Sequence, residues 1–174
     1  MKIRKTQLGD FDAVLGIYAQ ARDFMRTTGN PGQWGDTWPP QDLIHADIQQ
    51  QKSYVCVKEA EETAGQTEEI LAVFFLEVAE DPTYAKIYQG SWLEDKRPYG
   101  VVHRIASRGQ GAGSFCLEWA LAECGNIRID THEANLPMRS LLKKLGYTYC
   151  GMIYTHDGTP RLAYQKYLPE TTGF

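Results

Sequence analysis

The sequence predicts a mixed α/β fold, because strand-like runs and helical patterns follow one another in the order β-α-α-β-β-β-α-β-α-β-β. At its centre, an apolar run at residues 101–107 passes through a glycine-rich turn into a helical pattern and a further strand, as in a β-α-β unit. Strand pairs at 53–58 with 70–78 and at 147–154 with 161–167 are close enough in sequence to form antiparallel hairpins. A fully parallel, doubly wound sheet is therefore not expected.

The composition indicates one soluble domain. A chain of 174 residues is most simply a single domain, so we expect residues 1–174 to fold together. The hydrophobic fraction of 43% and the charged fraction of 23% are ordinary for a globular protein, and a net charge of -4 argues against nucleic acid as a partner. The sequence shows neither a signal peptide nor a membrane-spanning run, so we expect a cytoplasmic protein without a membrane partner.

The four cysteines are Cys56, Cys116, Cys124 and Cys150. They form no Cys-x-x-Cys pair and have no zinc-like spacing with any histidine, and three of them lie inside apolar runs. We therefore expect buried free thiols in a reducing compartment, and no bound metal.

The N-terminal part is predicted to hold one strand and two helices. The strand covers residues 2–6, and Asp10 is expected to cap a helix whose apolar residues recur at helical spacing as far as Met25. A breaker rich in Gly and Pro follows, and residues 41–50 form a second, short helix.

Trp34, Asp36 and Trp38 lie together in the loop between these helices. Two tryptophans around an aspartate are unusual in such a loop, and loops on a rigid scaffold often carry specificity. The rings either cover the end of the core or face a ligand. The three residues are candidates for binding a substrate.

Residues 53–58 and 70–78 are predicted to form a hairpin whose polar connection, residues 59–69, is a solvated loop. Glu77, near the end of the second strand, is either a solvent-facing residue or a carboxylate aimed into a site. Residues 81–99 carry aromatic side chains at helical spacing, but a glycine and a proline interrupt them. This segment is expected to be a structured excursion from the sheet.

The second half contains the β-α-β unit and a closing hairpin. A helix is predicted at residues 114–124, and Gly125 is placed to end it. A strand at 126–130 follows, and Asn135 can cap a further helix whose apolar stripe ends at Gly146. An Asp-Gly pair then marks the turn of the closing hairpin.

The turn before the central helix has the features of an anion site. Gly109, Gly111 and Gly113 alternate in it. Amides at a helix N-terminus lack intrahelical acceptors and point outward with the positive end of the helix dipole. Glycines allow positive φ values and a close approach of a phosphate to the backbone. The turn is therefore predicted to bind a phosphorylated ligand.

Two motifs resemble those of the GNAT superfamily of N-acetyltransferases. Residues 108–113, Arg-Gly-Gln-Gly-Ala-Gly, fit that family's Arg/Gln-x-x-Gly-x-Gly/Ala loop for coenzyme A. The segment from Asn135 to Tyr147 fits its second motif, an asparagine before a helix that ends in Leu-Gly-aromatic. The resemblance covers essentially the whole chain. It implies the GNAT-like acyl-CoA N-acyltransferase fold, a mixed, mostly antiparallel sheet flanked by helices, and transfer of an acetyl group from acetyl-CoA to a primary amine.

The resemblance also implies how acetyl-CoA binds. Its pyrophosphate would lie on the amides of the turn, and its pantetheine arm would pair with the backbone of Ile105 and Ala106 like an added strand. Asn135 would assist near the thioester, while Arg139 and Lys143 either reach outer phosphates or are solvated. The candidate coenzyme-binding residues are Ile105, Ala106, Ser107, Arg108, Gly109, Gln110, Gly111, Ala112, Gly113, Ser114, Asn135 and Arg139.

The chain departs from the family at Leu142, where many members have a tyrosine that protonates the leaving thiolate. Leucine cannot donate a proton. Either another hydroxyl takes this role or the thiolate leaves without an acid. Tyr154 and Tyr149 are substitutes by position only, and the pattern around each favours an ordinary core or surface tyrosine.

A general base should remove a proton from the amine, and backbone N–H groups after Ile105 could hold the developing oxyanion. His103 lies in the central strand, where polar side chains need partners because both faces are covered. His132 lies in a polar cluster after the next strand. Histidine has a reference pKa of about 6.5, which suits a base at neutral pH, but either residue could be structural. Glu77 is the third candidate.

Two other functions stay open from the sequence. The glycine turn with Asp130 on the next strand fits a dinucleotide-binding oxidoreductase, although Ser114 stands where a third glycine belongs. The leucine at the acid position suits a coenzyme A-binding sensor or scaffold. The acceptor is expected to be a small-molecule amine or a peptide. The chain is expected to be a monomer, or a homodimer that pairs through an edge strand near the C-terminus.

Overall fold

The computed structural model describes residues 1–59 and 68–169 of the protein. Within these residues the elements follow the predicted order, with two additional 3-10 turns at Leu8–Asp10 and Pro82–Tyr84. The inner residues of the predicted loop 59–69 lie outside the described part. The strands are β1 (Lys2–Lys5), β2 (Ser53–Lys58), β3 (Glu69–Val78), β4 (Gly100–Ser107), β5 (Asn126–Thr131), β6 (Thr148–Tyr154) and β7 (Pro160–Tyr167). The helices are α1 (Phe11–Thr27), α2 (Gln41–Gln49), α3 (Ala112–Cys124) and α4 (Leu136–Lys144).

The strands form one sheet in the order β1-β2-β3-β4-β5-β7-β6. β4 and β5 run parallel and pair at Gly100 with Ile127 and at Val101 with Arg128. The ladders of β2 with β1 and β3, and of β7 with β5 and β6, are antiparallel. The predicted mixed, mostly antiparallel sheet is confirmed. It does not match the doubly wound parallel sheet that a dinucleotide-binding oxidoreductase would require.

The chain forms two compact units. Unit 1 comprises Met1–Leu76 and His103–Leu117, and unit 2 comprises Glu77–Val102 and Glu118–Phe174. Unit 1 therefore contains α1, α2 and the glycine-rich turn, whereas unit 2 contains the excursion before β4, α4 and the closing hairpin.

The core of unit 1 lies where α1 and α2 pack on the sheet. Both helices present apolar residues at helical spacing, and these side chains are almost completely buried together with residues of the strands. The same cluster includes Ala106, so the end of β4 that leads into the turn is anchored to the two helices. The cluster comprises Val14, Ile17, Tyr18, Ile44, Ile48, Val55, Val57, Ile70, Val73 and Ala106.

Asp10 does not cap α1, contrary to the sequence-based expectation. Its carboxylate accepts a hydrogen bond from the Gln7 amide at 2.8 Å and lies 2.7 Å from Nη1 of Arg4. The 3-10 turn that precedes α1 explains the difference. Asp10 is already in a helical conformation at the end of this turn, so its side chain reaches back to the start of the turn and not forward into α1.

The excursion in unit 2 lies against the edge strand β6. Tyr88 and Met152 exchange two backbone hydrogen bonds of 2.8 Å. Gly90 is required there, because a Cβ at this position would lie 1.9 Å from the backbone oxygen of Cys150. The edge strand that the sequence offered for dimerisation is therefore paired at Met152 within the same chain.

The cysteines are free thiols, as expected. Cys56 and Cys116 are buried in unit 1, and Cys150 is buried in unit 2, whereas Cys124 is half-buried. Burial raises the pKa of all four thiols above the ordinary value. The thiols are therefore protonated at neutral pH.

Candidate functional site

The glycine turn, defined as residues 108–114, has a left-handed backbone at its centre. The φ angles are +90° at Gly109, +56° at Gln110 and +76° at Gly111. A Cβ added at either glycine would meet nothing within 4 Å, so the torsion angle and not the available space requires glycine here. The sequence did not indicate that Gln110 would share this conformation.

The amides of the glycine turn are available to a ligand. Ala112 and Phe115 donate to the oxygens of Gly109 and Gly111 at 3.0 Å. The Gly109 amide lies 3.4 Å from the Ser107 hydroxyl, whereas within residues 1–59 and 68–169 no acceptor is found for the amides of Gln110, Gly111, Gly113 and Ser114. Successive N–H groups in such a turn, at the positive end of a helix, form an anion-binding concavity.

Helix α3 begins at Ala112, two residues earlier than predicted. Gly113 and Ser114 therefore belong to its first turn, and their amides are helix N-terminal amides. Arg108 anchors the start of the glycine turn. Its amide donates to the Leu71 oxygen at 2.8 Å, and its Nε donates to Oε1 of Gln20 at 3.2 Å. The Arg108 side chain thus contacts α1.

Arg104, in the middle of β4, has a φ angle of +51°. This conformation costs a residue with a Cβ roughly 1–2 kcal/mol, so the surrounding contacts must hold it. The Arg104 cluster consists of Arg104 and three contacts in unit 1. Asp47 lies 2.8 Å from Nη2, the hydroxyl of Tyr18 donates to the Arg104 backbone oxygen at 3.0 Å, and the Phe75 ring centroid lies 4.5 Å from the guanidinium.

His103 is the sequence-predicted base that belongs to unit 1. Its ring is half-buried, and its centroid lies 5.9 Å from that of Phe75. Burial raises the pKa of the neighbouring Asp47 carboxyl, and the positive charge of Arg104 opposes this shift only in part. The polar side chains of this strand were predicted to need partners, and Asp47 of α2 and Phe75 of β3 provide them.

The three residues chosen as substrate contacts have different environments. Trp34 packs edge-on against Tyr18, with ring centroids 5.7 Å apart, and borders the core of unit 1. Asp36 is exposed and pairs with Arg26 at 2.8 Å. Trp38 is exposed over 44% of its surface. Trp34 therefore covers the core, and Trp38 is the ring that a ligand can reach.

His132 belongs to unit 2 and has a defined tautomer. Its Nδ1 lies 3.0 Å from the Ala134 amide, which can only donate, so Nδ1 accepts and the proton of the neutral ring is on Nε2. Burial and the positive charge of Arg161 lower the pKa of His132, and the charge of Glu133 opposes them only in part. His132 is therefore suited to donate a hydrogen bond through Nε2 rather than to accept a proton there.

Alternate residues of β5 form the buried polar face of unit 2, which we define as Asn126, Arg128, Asp130 and the facing Gln165 of β7. Tyr84 donates to Asp130 at 2.6 Å, and burial together with the negative charge of Asp130 raises the pKa of that hydroxyl. The polar face holds the excursion in place. The sequence did contain a signal for the polar face, since residues 126–130 alternate strictly between polar and apolar types.

Arg128 is the most enclosed charge of the polar face, with 4% of its side chain exposed. Its guanidinium lies 4.3 Å from the Trp92 ring centroid and 4.0 Å from that of Tyr99. Its Nη2 donates to the backbone oxygen of Glu94 at 2.9 Å and lies 2.7 Å from Oδ1 of Asp95. These partners all belong to the excursion.

The remaining candidates also belong to unit 2. Asn135 caps α4 as predicted, accepting the Met138 amide at 3.2 Å. Arg139 donates to the Glu133 oxygen at 2.8 Å and lines a cleft of about 350 Å³. Glu77 is half-buried near the end of β3. Tyr154 is exposed and packs edge-on against Tyr88, whereas Leu142 is fully buried.

Two kinds of feature are not found in the part of the chain that the structure describes. It contains no group of three or more His, Cys, Asp or Glu side chains that could hold a metal ion. None of its helices combines the length and the apolar character needed to cross a membrane.

Solved structures of acetyltransferases are similar to this chain. An acetyltransferase of the GNAT family from Streptococcus agalactiae is 30% identical, with a TM-score of 0.84, and the alignment covers 97% of this chain and 96% of that protein. No protein-family model and no curated protein matches the chain.

More distant structures share the fold alone. A ribosomal-protein-alanine N-acetyltransferase from Brucella melitensis is 18% identical, with a TM-score of 0.61 over 97% of this chain and 100% of that one. A GNAT superfamily phosphinothricin acetyltransferase from Sinorhizobium meliloti, solved in complex with AcCoA, is 14% identical. Its TM-score is 0.62, over 98% of this chain and 90% of that one.

Proposed function

The chain belongs to the GNAT family of acetyltransferases, and from this premise we propose that it transfers an acetyl group from acetyl-CoA to a primary amine of a small acceptor. Family membership supports acetyl-CoA-dependent acyl transfer in general. The amine acceptor, the residues that act on it and the action of residues 1–174 as one acetyltransferase domain are our proposals.

The observation that carries the proposal is the glycine turn. Its amides without acceptors lie at the N-terminus of α3 and are proposed to bind the coenzyme pyrophosphate. The backbone of Ile105 and Ala106, which directly precedes the turn, is proposed to pair with the pantetheine arm. Asn135 and Arg139 are proposed as further coenzyme contacts. That a related fold was solved with AcCoA supports the coenzyme assignment.

In the proposed reaction the amine nitrogen attacks the thioester carbonyl carbon, the C–S bond breaks and coenzyme A leaves as the thiolate. The amine must lose a proton, and His103 is the better base of the two histidines. The lone pair of neutral His132 is engaged by the Ala134 amide, so its Nε2 can only donate. We assign His132 the role of a hydrogen-bond donor. Glu77 and Tyr154 stay secondary candidates for proton transfer.

The proposed acceptor is small and carries an amine. The exposed Trp38 ring is suited to contact a cationic group, and the Asp36 carboxylate would add a second contact by exchanging its exposed partner Arg26. The net charge of -4 attracts cations. Trp34 would support this loop from the core side. Small amines and peptide N-termini both satisfy this chemistry, and a mass-detected acetylation screen of the two classes identifies the acceptor.

A binding experiment tests the proposal first. Coenzyme A and acetyl-CoA should raise the thermal midpoint of the protein by mass action, and NAD should not. The release of free coenzyme A thiol should then depend on both acetyl-CoA and an amine. Equal stabilisation by NAD, or none by either form of coenzyme A, would exclude the proposed site.

A second candidate function is suggested by Leu142, which is fully buried and has no acidic proton to donate. A chain that only binds coenzyme A, as a sensor or scaffold, would be stabilised by it without releasing thiol in the presence of any amine. Thiol release with any amine therefore separates the two cases. If the chain is an enzyme, replacing His103 by glutamine tests the assigned base, and this change should lower the rate by about 100-fold or more while coenzyme affinity is retained.

A further inference from the structure

The backbone of Arg104 departs from the regular strand conformation. Arg104 directly precedes the residues proposed to hold the pantetheine arm. A positive φ angle at this position turns the following peptide group out of its regular orientation. The backbone of Ile105 and Ala106 is therefore oriented by the torsion angles at Arg104. Whatever fixes those angles controls how the strand presents its hydrogen-bonding groups.

The contacts of the Arg104 cluster fix both ends of the residue. Asp47 holds the side chain, since its Oδ2 lies 3.0 Å from Nε and 2.8 Å from Nη2 of the guanidinium. Tyr18 holds the backbone, because its hydroxyl donates to the Arg104 carbonyl oxygen at 3.0 Å. Tyr18 and Asp47 are 3% and 7% exposed, so water competes little for these bonds.

The bond from Tyr18 also sets the direction of a neighbouring donor. The carbonyl of Arg104 and the amide of Ile105 belong to one peptide group, which is planar and trans, so its C=O and N–H point in opposite directions. When the Tyr18 hydroxyl on α1 binds the carbonyl oxygen, the Ile105 N–H is directed away from α1.

We propose that the Arg104 cluster orients the backbone of Ile105 and Ala106 for the pantetheine arm of acetyl-CoA, with Tyr18 as the positioning residue. The inference rests on the proposed function, because it assumes that the coenzyme binds along β4. It goes further in naming the side chains that hold this backbone in place. The Arg104 cluster governs the affinity for the pantetheine arm, and the glycine turn governs the affinity for the phosphates.

Calorimetric titration with acetyl-CoA and with ADP tests this division, because ADP has the pyrophosphate and lacks the pantetheine arm. Tyr18→Phe removes only the hydroxyl and should raise the Kd for acetyl-CoA about tenfold while changing the Kd for ADP less than about twofold. Arg104→Gly, which frees the torsion, should give the same pattern. Tyr99→Phe is the matched control, since it removes a hydroxyl bonded to the Asp81 amide in unit 2, and should alter neither Kd.

The outcomes separate the inference from the proposed function. If wild-type protein binds neither ligand, or binds acetyl-CoA no more tightly than ADP, the proposed coenzyme site fails and the role of Tyr18 fails with it. If wild-type protein prefers acetyl-CoA but Tyr18→Phe and Arg104→Gly keep both affinities, the positioning role is wrong. It is also wrong if both variants weaken the two ligands equally, since a general loosening of unit 1 would have that effect. Thermal midpoints of all variants show whether each is folded.

Discussion

The glycine turn of unit 1 and the polar face of unit 2 use hydrogen-bonding groups in opposite ways. The turn presents four backbone amides that have no acceptor in the described part of the chain, so they can bind a ligand. The polar face consists of three buried side chains and the half-buried Asp130, and their partners lie mostly in the excursion. Backbone donors without an acceptor indicate a place where a ligand binds. Buried polar side chains that pair within the chain instead stabilise one particular fold.

Gln165 illustrates the internal pairing of the polar face, in which Nε of Arg128 is the exception because it has no hydrogen-bond partner within the described residues. Gln165 is fully buried, accepts the Leu93 amide at 2.7 Å, and donates to the Glu94 oxygen at 2.7 Å and to Asn126 at 2.8 Å. A ligand could compete for such groups only by displacing the excursion. The difference between the two regions leads to four predictions, from the largest expected effect to the smallest.

Arg128→Ala should have the largest effect on stability. The substitution removes a guanidinium that packs against the rings of Trp92 and Tyr99, so the free energy of unfolding should fall by about 3 kcal/mol. Urea denaturation measures the change. The control Lys96→Ala removes an exposed cation from the same excursion and should cost less than about 0.5 kcal/mol. A loss below 1 kcal/mol for Arg128→Ala would contradict the stabilising role of the polar face.

Gly111→Val should have the largest effect on binding. A β-branched residue at φ +76° is strained, so the turn shifts and its amides no longer converge, and the Kd for coenzyme A should rise on the order of 100-fold. Gly158→Val imposes similar strain at φ +81°, also with nothing within 4 Å, in the turn between β6 and β7. If both variants weaken coenzyme binding equally, the loss reflects stability and not the amides.

The pKa of His132 should depend on the charge of Arg161, which lies beside the polar face. Its pKa is lowered, so the folded state binds this proton less readily than the unfolded chain, and stability should fall as the pH drops below about 6.5. Arg161→Gln should raise the NMR titration midpoint of His132 and reduce this loss. Lys144→Gln removes a different cation of unit 2 and should leave the midpoint in place. An unchanged midpoint in Arg161→Gln would show that burial alone lowers the pKa.

Gln110→Gly should have the smallest effect. Glycine relieves the strain at φ +56° but gives the unfolded chain more freedom, so the net stability change should be below about 0.5 kcal/mol. Coenzyme affinity should stay within about twofold, because the backbone and not this side chain binds the phosphates. A tenfold loss measured by calorimetry would show that the Gln110 side chain contributes, and the contrast between the two regions would weaken.

The order of the elements was readable from the sequence because it depends on local patterns. Apolar spacing defined the helices and strands, Asn135 was recognisable as a cap and Gly125 and Gly146 as helix ends, and all three have the expected geometry. Asp10 misled because a 3-10 turn, which gives too short a pattern to recognise, precedes α1. The predicted start of α3 was two residues too late, because a glycine in the first turn of a helix is indistinguishable in the sequence from a glycine in a loop.

The features that the sequence did not reveal depend on distant contacts. The torsion of Arg104 follows from Tyr18 and Asp47, which lie 86 and 57 positions away along the chain. The path of the excursion depends on Arg128 and Gln165, and no local pattern in residues 81–99 encodes these partners. The tautomer of His132 could be assigned only from the position of the Ala134 amide. Such pairings become visible only when the chain is folded.

The distribution of the cysteines has a practical consequence. Each unit contains two thiols, Cys56 and Cys116 in unit 1 and Cys124 and Cys150 in unit 2. Because Cys56, Cys116 and Cys150 are buried and their raised pKa values keep them protonated in the folded state, their alkylation by iodoacetamide should be slow until a unit opens. Peptide mapping of the alkylated sites over time would therefore measure the opening rate of each unit separately in the unlabelled native chain. Coenzyme A should slow modification at Cys116, which lies on the helix that begins at the glycine turn.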